Sequence, residues 1–209
     1  MNFFRLFFPQ KISFPDTPFN KNIYLLQYLT TPTLFVDGLI ESGSIMTSIW
    51  NKGLRSLLPR SFQPQKVLLL GLAGGCNAHL VNHFYPRASI TSIEIDPFMI
   101  ELGNRYFKLG QVKNHRIVIA DALEYIDRLD SKTQFDLILV DCFVGKEIPQ
   151  KLQTPQFLEK LKDHSQYVLI NRLWWYQGKI DTLKFFRSIS PFHFFIKTHT
   201  RTNVVISLV

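Results

Sequence analysis

The 209-residue sequence predicts an α/β protein with a Rossmann-like, doubly wound and mostly parallel sheet. Apolar runs alternate with helical segments from Lys66 onward. A glycine-rich turn follows the first apolar run, and acidic residues stand at the ends of later apolar runs. Buried parallel strands are covered by helices on both faces, so they form continuous apolar runs such as Val67–Leu70. Because strands and helices alternate, we expect helices on both sides of the sheet.

The elements after Lys66 predict seven strands. Five parallel strands are expected over Val67–Leu70, Ser89–Ile95, Arg116–Ala120, Phe135–Val140 and Gln166–Ile170, followed by an antiparallel pair over Phe192–Thr198 and Asn203–Val209. Helices are expected over Asn77–Tyr85, Pro97–Phe107, Ala122–Leu129, 154–162 and Lys179–Ser188. Pro97 and Pro155 suit the first position of a helix, where no amide hydrogen is needed.

Three regions follow from this pattern. Residues 1–43 predict a small N-terminal β-hairpin element, with strand-like pieces at Ile23–Leu29 and Thr33–Asp37 and a turn at Asp37-Gly38. Residues 44–65 predict a helix and a linker, and residues 66–209 a nucleoside-binding domain. The first eight residues, MNFFRLFF, favour a short helix or strand that packs on the domain over the alternative of a weak membrane-surface contact.

Composition favours a cytoplasmic protein without a membrane span. The chain is 46% hydrophobic and 19% charged, as in ordinary globular proteins. Its apolar runs fall short of the roughly 20 residues that cross a bilayer. MNFFRLFF is too short for the apolar core of a signal peptide and has no small-residue cleavage site.

The cysteines and histidines indicate no metal site. Cys76 and Cys142 lack a CxxC partner, so we expect reduced thiols near a pocket. His79 and His83 have the i, i+4 spacing of a zinc-binding helix, but Leu80 stands where that motif needs glutamate.

The net charge of +8 is uneven along the chain. Lysine plus arginine outnumber acidic residues six to three in residues 1–65 and nine to three in residues 151–209, whereas residues 66–150 hold nine basic and ten acidic residues. No basic block stands out, so a nucleic-acid partner is not favoured. The slight acidity of the core suits a cationic ligand.

Chemistry-bearing residues follow the strands of the predicted sheet. In open α/β sheets, ligands bind outside the carboxyl ends of the strands at the switch point. We expect the Gly71–Gly75 turn to approach a nucleoside closely, Glu94 to accept hydrogen bonds from its ribose, and Asp121 to accept one from the adenine amino group. Asp141 is expected near the reacting centre as the candidate catalytic residue. The predicted cofactor-binding residues are Gly71, Leu72, Ala73, Gly75, Glu94, Ile95, Asp121, Ala122 and Asp141.

So many carboxylates suit a nucleoside that carries a positive charge better than a phosphate-rich dinucleotide. S-adenosylmethionine (AdoMet) and its decarboxylated form carry a sulfonium, so either is the expected cofactor, with no metal. At this point the stretches VLLLGLAGG, SIEIDPFMIELGNRYF, DALEYI and FDLILVDCF resemble the AdoMet-dependent methyltransferase fold in its spermidine synthase-like branch. LFVDGLIESG is similar to the N-terminal hairpin of aminopropyltransferases. The resemblance implies a nucleoside site at the residues above, a role for Asp141 in binding and deprotonating an attacking amine, and a homodimer formed through the N-terminal element.

The chain departs from the spermidine synthase pattern at several polar positions. Gly74 and Val144 stand where those enzymes have aspartates, and Glu41 stands where they have glutamine. Ile45-Met46-Thr47 replaces a tyrosine-containing polar segment. Each change removes a polar contact to an amine or to the cofactor tail, so ordinary spermidine synthesis is not expected. Gly74 is expected to leave room for a methionine carboxylate, which slightly favours methyl over aminopropyl transfer.

Three hypotheses follow for function. The first is a transferase that uses an S-adenosyl sulfonium to alkylate a small nucleophile, with an amine favoured, in which Asp141 acts either as a base or as an orienting carboxylate. The second is a non-catalytic nucleoside-binding or scaffold relative. The third is a nucleic-acid methyltransferase, disfavoured because Asp141-Cys142-Phe143-Val144 replaces the usual amino-methylating signature. Trp174-Trp175-Tyr176 either stacks on substrate or, more in keeping with such clusters, packs against protein.

Overall fold

The computed structural model of the chain describes residues 9–28, 31–190 and 195–208. Some expectations therefore lie outside the described residues: the element over MNFFRLFF, the end of a strand at Leu29, the start of another at Phe192, and Val209.

Seven strands form the central sheet of the described chain. These are β5 (Lys66–Leu70), β6 (Ser89–Glu94), β7 (His115–Ile119), β8 (Phe135–Val140), β9 (Ser165–Leu173), β10 (Phe195–His199) and β11 (Asn203–Leu208). Their order is β10-β11-β9-β8-β5-β6-β7, with β5 to β9 parallel and β10 and β11 antiparallel. The chain winds outward from β5 through β6 to β7 and then returns to the other side of β5 with β8. The carboxyl ends of β5 and β8 therefore mark the switch point.

The sheet is the middle of three layers. The helices are α1 (Ser44–Leu57), α2 (Cys76–Phe84), α3 (Pro97–Phe107), α4 (Ala122–Asp127), α5 (Pro155–His164) and α6 (Tyr176–Ile189). Val67 and Leu69 pack into the core cluster that contains residues of α1 and α2. Leu68 and Leu70 point to the opposite face, into the cluster formed with α4, α5 and α6. Because both faces of β5 are buried, its sequence shows no polar alternation.

Helix starts near the switch point are fixed by side chains. Asp96 caps α3 by accepting a hydrogen bond from the Phe98 amide, and Pro97 occupies the first turn. Asp121 caps α4 through the amides of Leu123 and Glu124. These caps satisfy amide hydrogens that have no partner within the helix.

The N-terminal element is larger than the hairpin predicted from sequence. Strands β1 (Gln10–Ser13), β2 (Tyr24–Tyr28), β3 (Thr31–Val36) and β4 (Leu39–Ser42) form a four-stranded antiparallel sheet. The sequence pattern missed β1 because its side chains are largely exposed and short of apolar residues. Ile23, Leu34 and Val36 pack against Met99 and Leu102 of α3, which attaches this sheet to the core.

Two boundaries near the predicted pocket differ from expectation. Strand β9 continues through Asn171 and Arg172 to Leu173, because these residues pair with Val205, Val204 and Asn203 of β11. Helix α6 starts at Tyr176 rather than at Lys179. Asn171 is therefore a strand residue beside the pocket and not part of a following loop.

Within the described residues, no helix combines the length and the apolar character needed to cross a membrane.

The close approach of Gly71 to β8 predicts a large cost for adding a side chain there. Gly71 and Gly38 both have positive φ, +85° and +80°, so alanine is strained by about 1–2 kcal/mol at either position. A Cβ on Gly71 would also meet the Asp141 carbonyl oxygen at 2.3 Å, whereas nothing lies within 4 Å of one on Gly38. We expect Gly71→Ala to lower the free energy of unfolding, measured in urea, by about 1–3 kcal/mol more than Gly38→Ala does. Equal losses would contradict this packing.

Candidate functional site

A cavity of about 300 Å³ lies at the carboxyl ends of β5, β6 and β8. All predicted cofactor-binding residues except Gly75 line it: Gly71, Leu72, Ala73, Glu94, Ile95, Asp121, Ala122 and Asp141. The N-terminal sheet completes the wall with Phe19 and Asn20, from the loop between β1 and β2, and with Val36 and Glu41. The segment after β8 contributes Phe143, Val144, Pro149, Lys151 and Leu152. The sheet topology thus brings the predicted residues together.

Glu94 holds the glycine-rich turn in place. Its Oε2 accepts hydrogen bonds from the amides of Leu72, at 3.0 Å, and Ala73, at 2.9 Å. Its Oε1 accepts one from the Asp96 amide at 2.9 Å. Burial raises the pKa of Glu94, and these three hydrogen bonds oppose that rise. Glu94 therefore fixes the turn as well as facing the cavity.

The amides of the turn all have partners inside the protein. Gly71 donates to the Ile93 carbonyl, Gly74 to the Ser42 hydroxyl and Gly75 to the Leu72 carbonyl, and the two amides between Gly71 and Gly74 bond to Glu94. The turn therefore does not offer the row of free amides that cradles phosphates.

Gly75 lies behind the turn. It is the residue before α2, has φ +85°, and a Cβ there would meet Leu109 at 2.4 Å. Its role is to let the chain enter α2 against Leu109, so the structure places this predicted residue outside the cavity lining.

The space expected beside Gly74 is filled by protein. A Cβ on Gly74 would meet Ser42 Oγ at 2.7 Å and Phe107 Cδ2 at 2.9 Å. The missing side chain therefore leaves no room for a methionine carboxylate, because Ser42 and Phe107 occupy that direction. The sequence argument for methyl transfer then depends only on the absence of acidic side chains at Gly74 and Val144.

Asp121 is engaged at both oxygens. Oδ1 caps α4, and Oδ2 lies 2.7 Å from Lys151 Nζ. Partial burial acts to raise its pKa, but the hydrogen bond from Lys151, the amides of α4 and the Lys151 charge outweigh burial, so the pKa is lowered. A ligand amino group that approaches Asp121 meets a carboxylate already shared with Lys151.

Asp141 is held by two donors that sequence reasoning missed. Trp50 Nε1, from α1, donates to Oδ2 at 2.8 Å, and Asn171 Nδ2, from β9, donates to Oδ1 at 2.8 Å. Burial raises the pKa of Asp141, and these two hydrogen bonds oppose the rise. Each oxygen keeps acceptor capacity, but the orientation of the carboxylate is fixed.

A signal for each donor was present in the sequence. Trp50 is fully buried in α1, and a buried indole N–H needs an acceptor. Asn171 is a buried amide at the end of an apolar run, which also needs partners. Neither residue type indicates its partner, because both contacts join distant parts of the chain.

Glu41 is the unpaired carboxylate of the cavity. Within the described part of the chain, no donor lies at hydrogen-bond distance from it. Burial, followed by the negative charges of Asp141 and Glu94, raises the pKa of Glu41 to about 8. Three carboxylates that repel one another around one cavity favour a cationic ligand.

The other residues singled out in the sequence are the histidines, the cysteines and the tryptophans. His79 Nε2 is hydrogen-bonded to the Phe107 carbonyl oxygen, and His83 is exposed. No group of metal-binding side chains is found in residues 9–28, 31–190 and 195–208.

Both cysteines are free, and burial raises the pKa of each thiol, that of Cys76 to about 12. Trp174 packs between Phe186 and His199, whereas Trp175 is 39% exposed.

No protein-family model matches the chain. Curated relatives match part of it. A polyamine aminopropyltransferase of Vibrio vulnificus is 37% identical over 101 residues, which are 48% of this chain and 34% of that protein. An eEF1A lysine and N-terminal methyltransferase homolog of Drosophila melanogaster is 37% identical over 84 residues, 40% of this chain and 12% of that protein. The matched part is thus about a third or less of each of these relatives.

Solved structures match a larger share of the chain. A spermidine synthase in complex with the transition-state analogue AdoDATO superposes with a TM-score of 0.73 at 19% identity, covering 96% of this chain and 73% of that one. Human methyltransferase-like protein 13, in complex with SAH, gives 0.54 at 23% identity, covering 78% and 77%. These likenesses confirm the predicted fold class: the chain has the Rossmann-like AdoMet methyltransferase fold in its spermidine synthase-like form.

The raised pKa of Glu41 predicts that stability falls with pH. Between the ordinary value of 4.5 and about 8, the folded protein keeps a proton on Glu41 that the unfolded chain has lost. The free energy of unfolding therefore decreases as pH rises through this window, by up to about 1.4 kcal/mol per pH unit. Glu41→Gln removes this contribution, so the variant gains stability relative to the wild type up to about pH 8.

Urea unfolding from pH 5 to 8.5 measures the effect, with the exposed Glu101→Gln as the control that should follow the wild type. The raised pKa values of Glu94 and Asp141 also make the free energy of unfolding fall as pH rises. Both residues remain in the variant, so they affect it and the wild type alike. Parallel curves for Glu41→Gln and wild type would contradict the raised pKa of this unpaired, half-buried carboxyl group.

Proposed function

We propose that the protein is a spermidine synthase-like transferase that uses an S-adenosyl sulfonium cofactor to alkylate a small amine. The observation that carries this proposal is the set of carboxylates Glu41, Glu94 and Asp141 around one cavity at the switch point of this fold. A sulfonium and an ammonium are both cations, so the cavity favours both reactants. The relatives with matching segments are named as aminopropyl and methyl transferases, which supports the same class.

In the proposed reaction, the substrate ammonium first loses one proton to water, and the neutral amine nitrogen then attacks a carbon on the sulfonium sulfur in line with the carbon–sulfur bond. The nitrogen–carbon bond forms as the carbon–sulfur pair passes to sulfur, which leaves a neutral thioether. The protein contributes mainly position and an electrostatic environment. Because Trp50 and Asn171 fix both oxygens of Asp141, we assign Asp141 to orienting the reactants.

Methyl transfer is proposed over aminopropyl transfer. Aminopropyl transfer requires that the cofactor's own ammonium be bound, and the positions that bear aspartate in spermidine synthases are Gly74 and Val144 here. A side chain added at Gly74 would meet Ser42 and Phe107, and the Val144 side chain is 47% exposed. Neither position supplies an acidic partner.

The same two substitutions support a second candidate, a non-catalytic relative that binds a nucleoside. Product analysis separates the candidates. Protein is incubated with AdoMet or decarboxylated AdoMet and small primary amines, and the thioether product is identified by mass spectrometry. We expect amine-dependent S-adenosylhomocysteine from AdoMet. Methylthioadenosine from the decarboxylated cofactor would instead support aminopropyl transfer, and absence of both products would favour the non-catalytic candidate.

Asp141→Asn tests the assigned orienting role. The amide would place an N–H₂ group against Trp50 Nε1 or Asn171 Nδ2, so we expect turnover to fall by at least about tenfold, with loss of one net hydrogen bond of about 1 kcal/mol in stability. The control is Asp130→Asn, at an exposed turn. Unchanged turnover in Asp141→Asn would remove Asp141 from the mechanism.

A further inference from the structure

A second cavity, of about 190 Å³, adjoins the cofactor cavity. It lies between β4, the first turns of α1 and the end of β9, and it shares Glu41 and Phe143 with the first cavity. A molecule in this second cavity would thus meet the proposed cofactor site at Glu41.

The walls of the second cavity are apolar. Leu39, Ile40, Met46, Ile49, Leu173 and Trp175 line it. An engineered apolar cavity of about 150 Å³ is large enough to bind benzene. The space therefore accepts an apolar group of roughly that size.

The polar side chains at this cavity other than Glu41 are bonded to one another. Asn203 Nδ2 donates to Asn171 Oδ1 at 3.0 Å, and Thr202 Oγ1 donates to Asn203 Oδ1 at 2.8 Å. Asn171 in turn donates to Asp141. Among the described residues that line the cavity, Glu41 is then the single ionisable side chain, and its carboxyl group has no hydrogen-bond donor.

We propose that the second cavity binds the acceptor, and that this acceptor is a primary amine with one ammonium group and an apolar body. The proposal rests on the proposed transferase function and names its substrate class. The ammonium pairs with Glu41 at the junction of the two cavities, and the apolar body fills the space beyond it. A charged hydrogen bond to an otherwise unpaired carboxylate contributes more than a neutral one.

The same walls select against a diamine. A second ammonium held inside the cavity would lie among apolar side chains such as Met46, Ile49 and Leu173, where an unpaired charge is costly. This distinguishes the cavity from one built for a linear polyamine, which needs a carboxylate at each end.

Calorimetric titration with two matched amines tests the proposal. Hexylamine and 1,6-diaminohexane differ by one terminal amino group, so their affinities isolate the cost of the second charge. We expect hexylamine to bind at least about tenfold more tightly to the wild type, and Glu41→Gln to weaken hexylamine by at least about tenfold. The exposed Glu101→Gln should leave the hexylamine affinity unchanged.

Ile45→Glu provides a second variant. Ile45 lines the same cavity and is 46% exposed, so the substitution leaves the buried core intact. We expect it to shift the preference towards 1,6-diaminohexane. Equal or tighter binding of the diamine to the wild type, or unchanged hexylamine binding in Glu41→Gln, would overturn the proposal.

The binding assay is independent of turnover. Selective hexylamine binding without any transfer from AdoMet would keep the amine site and reject the transferase. Transfer to other nucleophiles without selective hexylamine binding would keep the transferase and reject the amine site.

Discussion

The carboxylate of Glu94 is the contact on which the cavity depends. It binds the amides of Leu72, Ala73 and Asp96, so it joins the turn after β5 to the start of α3. A buried amide that loses its acceptor costs about 1–3 kcal/mol, and Glu94 satisfies three. The carboxylate stays buried at an unfavourable pKa because these donors compensate for part of the lost hydration.

The N-terminal sheet is part of the same construction. Ser42 accepts from the Gly74 amide, and Thr17 and Asn20 both donate to Asp96 at 2.6 Å. Helix α1 adds the hydrogen bond from Trp50 to Asp141. The Rossmann-like core supplies the floor and the acidic strand ends, whereas the N-terminal sheet and α1 supply the remaining wall, including Glu41. The second cavity exists because these two parts meet there.

Much of the core could be predicted from sequence because its signals are local. Apolar runs locate the parallel strands, and the bounds of α3 and β8 agree with the structure since Asp96, Pro97 and the Phe135–Val140 run mark them directly. The positions of Glu94, Asp121 and Asp141 follow from the topology of parallel sheets. Their binding roles remain predictions.

The rest depends on contacts between distant residues. The pairs Trp50–Asp141 and Asn171–Asp141 span 91 and 30 residues, and no local pattern specifies either. Ser42 and Phe107 fill the space that a side chain on Gly74 would need. They are brought there by packing between distant parts of the chain, so the spacing of the glycines could not reveal it. β1 escaped prediction because its pairing with β2 leaves little buried apolar surface.

Calorimetric titration with AdoMet and with decarboxylated AdoMet is the most direct test of the proposal that the cavity binds a cationic nucleoside. We expect one-to-one binding of AdoMet with a dissociation constant within about 1 μM–1 mM, the usual range for enzyme substrates. Glu94→Gln, checked for folding by its melting curve, should weaken binding by at least about tenfold, because an amide cannot accept from all three backbone donors. Saturable binding that depends on Glu94 would support the site. No saturable binding of either cofactor to the wild type would contradict it.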